Sequence, residues 1–551
     1  MNVKSLPPFI LFLFWQLATV GQQTLGLFLN DSLSVNGYTL FSNSEITYLI
    51  DNCGRVVNQW ESDFKTNTAV YLLENGNLLR TCRIANEFSA GGSAGRVEMF
   101  NWDGELVWAY NYSGPSYHLH HDIEPMPNGN ILLLAWEAHT QIEAIEAGRA
   151  PVSIGANGIW AEHIVEVQPK GTDSIDIVWE WHLWDHLVQE YDSTKPHFAI
   201  VANHPELIDI NYGNLSGGHP DWIHANAVAY NPDLDQIAIS SRHFNEIWII
   251  DHSTTSAEAA GHSGGLSGKG GDLLYRRGNP AAYHRGTAGH QTLWGQHNIT
   301  WIRQPDHPHF GRLLVFNNGF GRPDSNFSSI DIWTPPMLNG QYFIGPNQPF
   351  GPEEPDWTFT QPGFYSSGIS GVHALPRGHL FICEGRLGRF FEITPEGQTV
   401  WEYINPVSSF IGPLTQGQPP FQNNTFRATR YPVGFPAFEG KDLSPGAPVE
   451  LEPLPTNCVI FSPSSITSPP KELSGISLLT NPVGEVLRLF NESVRPLKVE
   501  VFNLYGYRVA TRTSNATHIE VPLPQCPAGL YLLRACDERR QLSLTLKFVK
   551  H

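Results

Sequence analysis

Apolar and polar positions alternate in short runs along most of this chain, and turn residues punctuate them, the pattern of β-strands joined by tight turns. Two signatures recur in order. One is a hairpin turn: Glu74-Asn75-Gly76-Asn77 before Leu78-Leu79, Pro127-Asn128-Gly129-Asn130 before an Ile-Leu run, and Pro376-Arg377-Gly378-His379 before Leu380-Phe381. Its Asn-Gly pair supplies the positive φ angles such a turn needs. The other is a closing strand that contains Trp, in Gly104 to Tyr110, Ile177 to Trp181 and Gly397 to Tyr403. Each pair of signatures brackets about one four-stranded sheet, the unit of a β-propeller at roughly 40–50 residues plus insertions.

The stretch 372–403 shows one unit cleanly, with strands at Val372 to Leu375, His379 to Glu384, Arg389 to Ile393 and Thr399 to Tyr403. Others fall near 67–110, 121–181 with a long insertion, 224–276 and 297–360. Residues 36–60 give three strands and 424–431 give one, and joining them closes the ring as a sixth blade without a free edge. Behind Lys4 the apolar run Phe9 to Val20 is too short to span a bilayer and predicts a signal peptide over 1–23. The expected organisation is thus a leader, an all-β six-bladed propeller over 24–439, a Pro/Ser-rich linker over 440–475, and a small β-sandwich over 476–551.

A net charge of −19 disfavours a nucleic-acid partner, which needs clustered Lys and Arg, and no later run is long enough for a transmembrane segment. The six cysteines are an even number in an exported chain, so disulfides are permitted, but their spacing gives no pairing and no C-x-x-C motif. Topology sorts the candidate chemistry. His121, His224 and His297 each stand where an innermost strand begins, in three different units, and loops opening on the same end carry Arg242, His243, Arg322 and Arg386. The prediction is a ring of histidine and arginine around a central channel, suited to an oxyanion. The run His118-Leu119-His120-His121-Asp122 holds zinc-type ligands and keeps open a metal-dependent hydrolase or lyase, while a surface propeller that only binds ligands is a third reading.

At Asp221-Trp222-Ile223-His224-Ala225-Asn226, Gly271 to Pro280, Gly295-Gln296-His297-Asn298 and Asn317-Asn318-Gly319 with Arg322, residues 36–435 resemble the bacterial arylsulfotransferases. The resemblance implies a six-bladed propeller that passes sulfate from a phenolic sulfate donor to a phenolic acceptor through a sulfated histidine. It implies neither nucleotide nor metal, and no cofactor. His224 and His297 match the family's active-site histidines and Arg322 its arginine. Chain order places the nucleophile at His373, whereas aligning Leu375-Pro376 on Met126-Pro127 sets Ser370 opposite His121. His121, His243, Arg386 and Trp222 are the expected substrate contacts, with Phe320 and Trp294 as further aromatics near the channel mouth. The tail resembles the sorting domain of proteins exported by the type IX secretion system of Bacteroidetes, on Asn481-Pro482-Val483, Val499 to Gly506, Pro527 to Tyr531 and Lys547 to Lys550. That implies the type IX machinery as a partner and a secreted or surface-bound product.

Overall fold

The computed structural model describes residues 22–461 and 475–551, apart from 67, 339, 493, 495, 504–507, 524–525 and 538–541. Nearly all of the expected signal peptide and the most Pro/Ser-rich part of the expected linker lie outside the described residues.

The body is all-β and consists mainly of small antiparallel sheets, consistent with a propeller. Sheet 1 orders Ala428–Pro432, Gly37–Ser42, Ile46–Ile50 and Val56–Glu61, so its first strand comes from the far end of the chain. Sheet 2 is Val70–Leu72, Leu78–Arg83, Gly95–Phe100 and Leu106–Asn111. Sheet 3 is Tyr117–Pro125, Ile131–His139, Ile159–Lys170 and Ser174–His182. Sheet 4 is Ala225–Asn231, Gln236–Ser241, Glu246–Asp251 and Tyr275–Arg277. Sheet 5 is His297–Trp301, Leu313–Asn317, Ser329–Trp333 and Trp357–Phe359. Sheet 6 is Gly371–Ala374, Leu380–Glu384, Arg389–Ile393 and Thr399–Ile404, with Gly26–Asn30 added at its edge.

Neighbouring sheets cover both faces of the middle strands, which is why Gln236–Ser241, Glu246–Asp251 and Leu313–Asn317 are buried at every position. Outer strands alternate instead, as in Val56–Glu61, where Trp60 is buried between exposed neighbours. The recurring Trp is a fastener. The indole N–H of Trp60 donates to Asn101 O of sheet 2 at 2.8 Å, that of Trp108 to Ser174 O of sheet 3 at 3.0 Å, and that of Trp181 to Gly271 O beside sheet 4 at 2.8 Å. Trp401 of sheet 6 donates to Asn52 O of sheet 1 at 2.8 Å, which returns the series to its start. A buried aromatic whose one polar atom finds a carbonyl joins sheet to sheet without an orphaned donor.

The first part of the expected linker is held against the body. Val56 N donates to Ala447 O, Arg55 pairs with Pro448, Val449 and Glu450 are buried, and Cys458 forms a disulfide with Cys53 across 405 residues of chain. Farther on, one sheet of Ile476–Leu478, Val486–Asn491 and His518–Pro522 and another of Arg508–Ser514, Leu497–Asn503, Gly529–Asp537 and Leu542–Lys550 share a core built on Leu487, Leu489, Val499, Val501, Ile519 and Leu533. No helix among the described residues is long and apolar enough to cross a membrane.

Candidate functional site

His121, at the middle of Tyr117–Pro125, and His224, just before Ala225–Asn231, sit in the left-handed region, with φ of 52° and 51°. Asn298 and Ser370 take the same kind of conformation in sheets 5 and 6, with φ of 55° and 92°. Such backbone is costly for residues other than glycine and collects at functional sites. Here register shifts accompany it in sheets 3, 4 and 5. A cavity of about 400 Å³ results, lined by His121, His224, His297, Arg242 and Arg386, with Ile369 and Phe426 as its apolar wall.

Each histidine is held by a different device. The Nδ1 of His224 bonds the carboxylate of Asp221, which is 3 % exposed and is placed by backbone pairing of Asp221 with Trp160. A carboxylate on Nδ1 leaves the lone pair on Nε2. Burial works to raise the Asp221 carboxyl, but the imidazoles of His224 and His243 outweigh it and hold it at about 2. His297 is engaged at both nitrogens: Nδ1 faces Asn318 Oδ1 at 2.7 Å and Gly295 O at 3.0 Å, and Nε2 accepts from Ile369 N at 3.1 Å. Burial, with Arg242 beside it, keeps the ring neutral by driving its pKa well down. His121 ends a relay. Its Nδ1 is 2.8 Å from His120 Nδ1, and His120 Nε2 is 2.9 Å from Glu162 Oε2, with His120 stacked flat on Trp136. His120 and Glu162 are wholly buried. Burial raises the Glu162 carboxyl well above the carboxylate range and lowers His120 to about 3, so both are neutral. In that state the acid O–H points at His120 Nε2, His120 Nδ1–H points at His121 Nδ1, and the His121 proton stands on Nε2.

The sequence-derived candidates divide. His121, His224, His297 and Arg386 meet around the cavity, and His243 stacks behind His224 at 4.8 Å, with Nδ1 3.2 Å from Asp221 O. His373 lies elsewhere, between sheets 6 and 1, where its Nε2 is 3.0 Å from Arg430 N and its ring packs on Phe381. Arg322 donates to Phe327 O at 3.1 Å and Ser329 Oγ at 2.8 Å and lies over Trp294, beside a different pocket. Trp222 is core, its indole bonded to Tyr212 O at 2.8 Å. The run from His118 to Asp122 fans out: His118 bonds Ser93 and Ser113, and Asp122 bonds Arg427 and Tyr71.

The arylsulfotransferase (ASST) family profile matches residues 21–409, most of the chain. The chain belongs to the arylsulfotransferase family. No curated protein matches it. Among solved structures it is similar to a protein of unknown function from Bacteroides caccae, at 11 % identity and a TM-score of 0.38 over 72 % of this chain and 99 % of that one. It is also similar to the periplasmic gluconolactonase of Pseudomonas aeruginosa, at 10 % identity and a TM-score of 0.35 over 89 % and 100 %. These likenesses are too distant to argue from. Family membership supports aryl sulfotransferase activity at the level of the family, with a sulfate donor and an acceptor as substrates.

For an arylsulfotransferase the lining is apt. Two guanidiniums and three imidazoles face the space, and no carboxylate lines it among the described residues. A sulfuryl group spreads negative charge over its oxygens, and Arg forks and N–H donors oppose that charge where water is scarce. Arg242 takes the place expected of it in the ring, and Asp221, His120 and Glu162, to which the sequence assigned no such role, complete the site. A signal for Asp221 existed, three residues before His224 in one turn. None existed for Glu162, which reaches His120 only through strand pairing.

Proposed function

We propose that the chain is an aryl-sulfate sulfotransferase that moves a sulfuryl group from a phenolic sulfate ester to a phenolic acceptor through a sulfo-histidine intermediate. The observation that carries this reading is His224, its Nδ1 held by Asp221 and its Nε2 bearing the lone pair, in one cavity with Arg242 and Arg386. His224 Nε2 attacks sulfur, the bond from sulfur to the aryl oxygen breaks, and its electron pair leaves on the phenolate. The phenolate takes the proton from His121 Nε2. The vacancy is refilled along the relay, as His120 Nδ1–H passes to His121 Nδ1 and the Glu162 proton passes to His120 Nε2. In the second half the acceptor phenol returns a proton to His121 Nε2, its oxygen attacks sulfur, and the pair of the S–N bond goes back to His224. Arg242 and Arg386 hold the sulfuryl oxygens, while Phe426 and Ile369 flank the aryl ring. His297, occupied at both nitrogens, orients the Ile369 loop.

The same reading takes the six sheets as a six-bladed propeller and the paired C-terminal sheets as a sorting β-sandwich of an exported, surface-bound or secreted protein. The disulfide between Cys53 and Cys458 supports an oxidising compartment. The test is nitrophenolate release from 4-nitrophenyl sulfate by the full chain, with and without phenol and with EDTA. We expect release that depends on phenol and persists in EDTA, and no release with any phenol would sink the proposal. His373→Ala should keep turnover within a few-fold of the parent, since its ring lies between sheets. Gly92→Ala should act oppositely: at φ +80° its Cβ would lie 2.2 Å from the His121 ring. Displacing that ring should lower kcat/KM by about 100-fold.

A further inference from the structure

One face of sheet 3, away from the cavity lining, carries a second group of titratable side chains. Ala135 pairs with His163, His163 with His182, and Val165 with Glu180, so Glu137, His139, His163, Glu180 and His182 share that face. The gaps around Glu180 and His139 are wider than completed hydrogen bonds. His163 Nε2 is 3.6 Å from Glu180 Oε2, His182 Nε2 is 3.7 Å from the same oxygen, and His139 Nε2 is 3.5 Å from Glu137 Oε2. Hydrogen bonds between such atoms run to about 3.2 Å. Edges of about 3.3–3.6 Å are what a tetrahedron of N and O ligands has around an ion bound at 2.0–2.2 Å. The Nε2 of His163 is buried with no hydrogen-bond partner, on a side chain 7 % exposed, and the Nε2 of His139 is likewise unpartnered.

The opposite nitrogens are engaged. His182 Nδ1 donates to Glu137 Oε2 at 3.0 Å, which fixes the tautomer and leaves the lone pair on Nε2, the usual backing of a metal-bound imidazole. His163 Nδ1 faces the Tyr112 hydroxyl at 3.4 Å. One ligand atom from each of His163, Glu180 and His182 lies within 4.8 Å of the other two. The cluster of His186, His262 and Asp272 makes the contrast. There both Nδ1 atoms are 2.8 Å from Asp272 Oδ1 and His186 Nε2 is 2.8 Å from Ala259 O, distances of completed hydrogen bonds.

We propose that His163 Nε2, His182 Nε2 and Glu180 Oε2 bind one divalent cation of the zinc class, with Glu137 orienting His182 and the fourth position open to water. Two imidazoles select a borderline ion over magnesium or calcium. The two rings stack at 4.1 Å with planes 18° apart, so binding tilts one about its soft terminal torsion. An ion there staples the two outermost strands of sheet 3.

The full chain, stripped with chelator and dialysed, is titrated with zinc by calorimetry and with cobalt by its visible absorption. One equivalent should bind, indifferent to excess magnesium. His163→Gln and Glu180→Gln should each weaken binding at least 100-fold, Glu137→Gln should weaken it about 10–100-fold, and His262→Gln should leave it unchanged. Melting of the stripped variants shows that they fold, and only the zinc-dependent rise in Tm should vanish. Absence of saturable binding, or binding unaltered in both His163→Gln and Glu180→Gln, overturns the proposal. Sulfuryl transfer is read separately, so either result leaves that question open to its own test.

Discussion

His224→Ala is expected to abolish sulfuryl transfer, with kcat falling by on the order of 10⁴–10⁶-fold, because among the described residues no other cavity nitrogen combines an open lone pair with a carboxylate behind it. His297 has both nitrogens occupied, and His121 presents a proton. The more telling variant is Asp221→Asn. Its amide N–H turned toward His224 Nδ1 would move the ring proton to Nε2 and remove the nucleophile without emptying the site, a tautomer error worth about 10⁴-fold in the analogous serine-protease case. Rapid quench with radiolabelled sulfate on the donor should trap one labelled histidine per parent chain and none in either variant. Label retained in His224→Ala and lost in His373→Ala would return the nucleophile to His373 and would falsify the assignment made here.

Glu162→Gln should cost about 10²–10⁴-fold in kcat, the range of general acid catalysis. The glutamine amide can still donate to His120 Nε2, so the hydrogen bonds survive, but it cannot release a proton down the relay. Two readouts separate this from simple loss of structure. The penalty should be large with phenyl sulfate and small with 4-nitrophenyl sulfate, whose more acidic phenol leaves without help. The pH profile should change as well. Burial raises the Glu162 carboxyl, the protonated acid is the working form, and activity in the parent is therefore present below that raised pKa and lost as pH climbs through it. In Glu162→Gln that alkaline limb should flatten. Equal losses with both donors and an unchanged profile would reduce Glu162 to a packing role.

Much of the strand pattern was legible because a short strand between turn residues is a local signal. The unit read as His379 to Glu384, Arg389 to Ile393 and Thr399 to Tyr403 forms strands Leu380–Glu384, Arg389–Ile393 and Thr399–Ile404. Gly26–Asn30, the edge strand of sheet 6, escaped because its partner Thr399–Ile404 lies some hundreds of residues away. The placing of His121, His224 and His297 around one space came from repetition of position, which sequence displays. The direction of a side chain is another matter. His373 and Arg322 sit near plausible strand ends, and only the packing between sheets, or the turn through Phe327, decides that they look elsewhere. The disulfide joins cysteines that no spacing rule could pair.

The pairing within sheet 1 also sets an order of events during folding. The innermost strand Ala428–Pro432, the Trp401 fastener and Cys458 all lie toward the end of the folded body, and each engages a partner among its first strands. Until Ala428–Pro432 has docked, Gly37–Ser42 presents an unpaired edge that can recruit a second chain. Joining Cys53 to Cys458 likewise needs both ends of the folded body in place. Truncation just before residue 428 should yield aggregates, even though it retains all three cavity histidines.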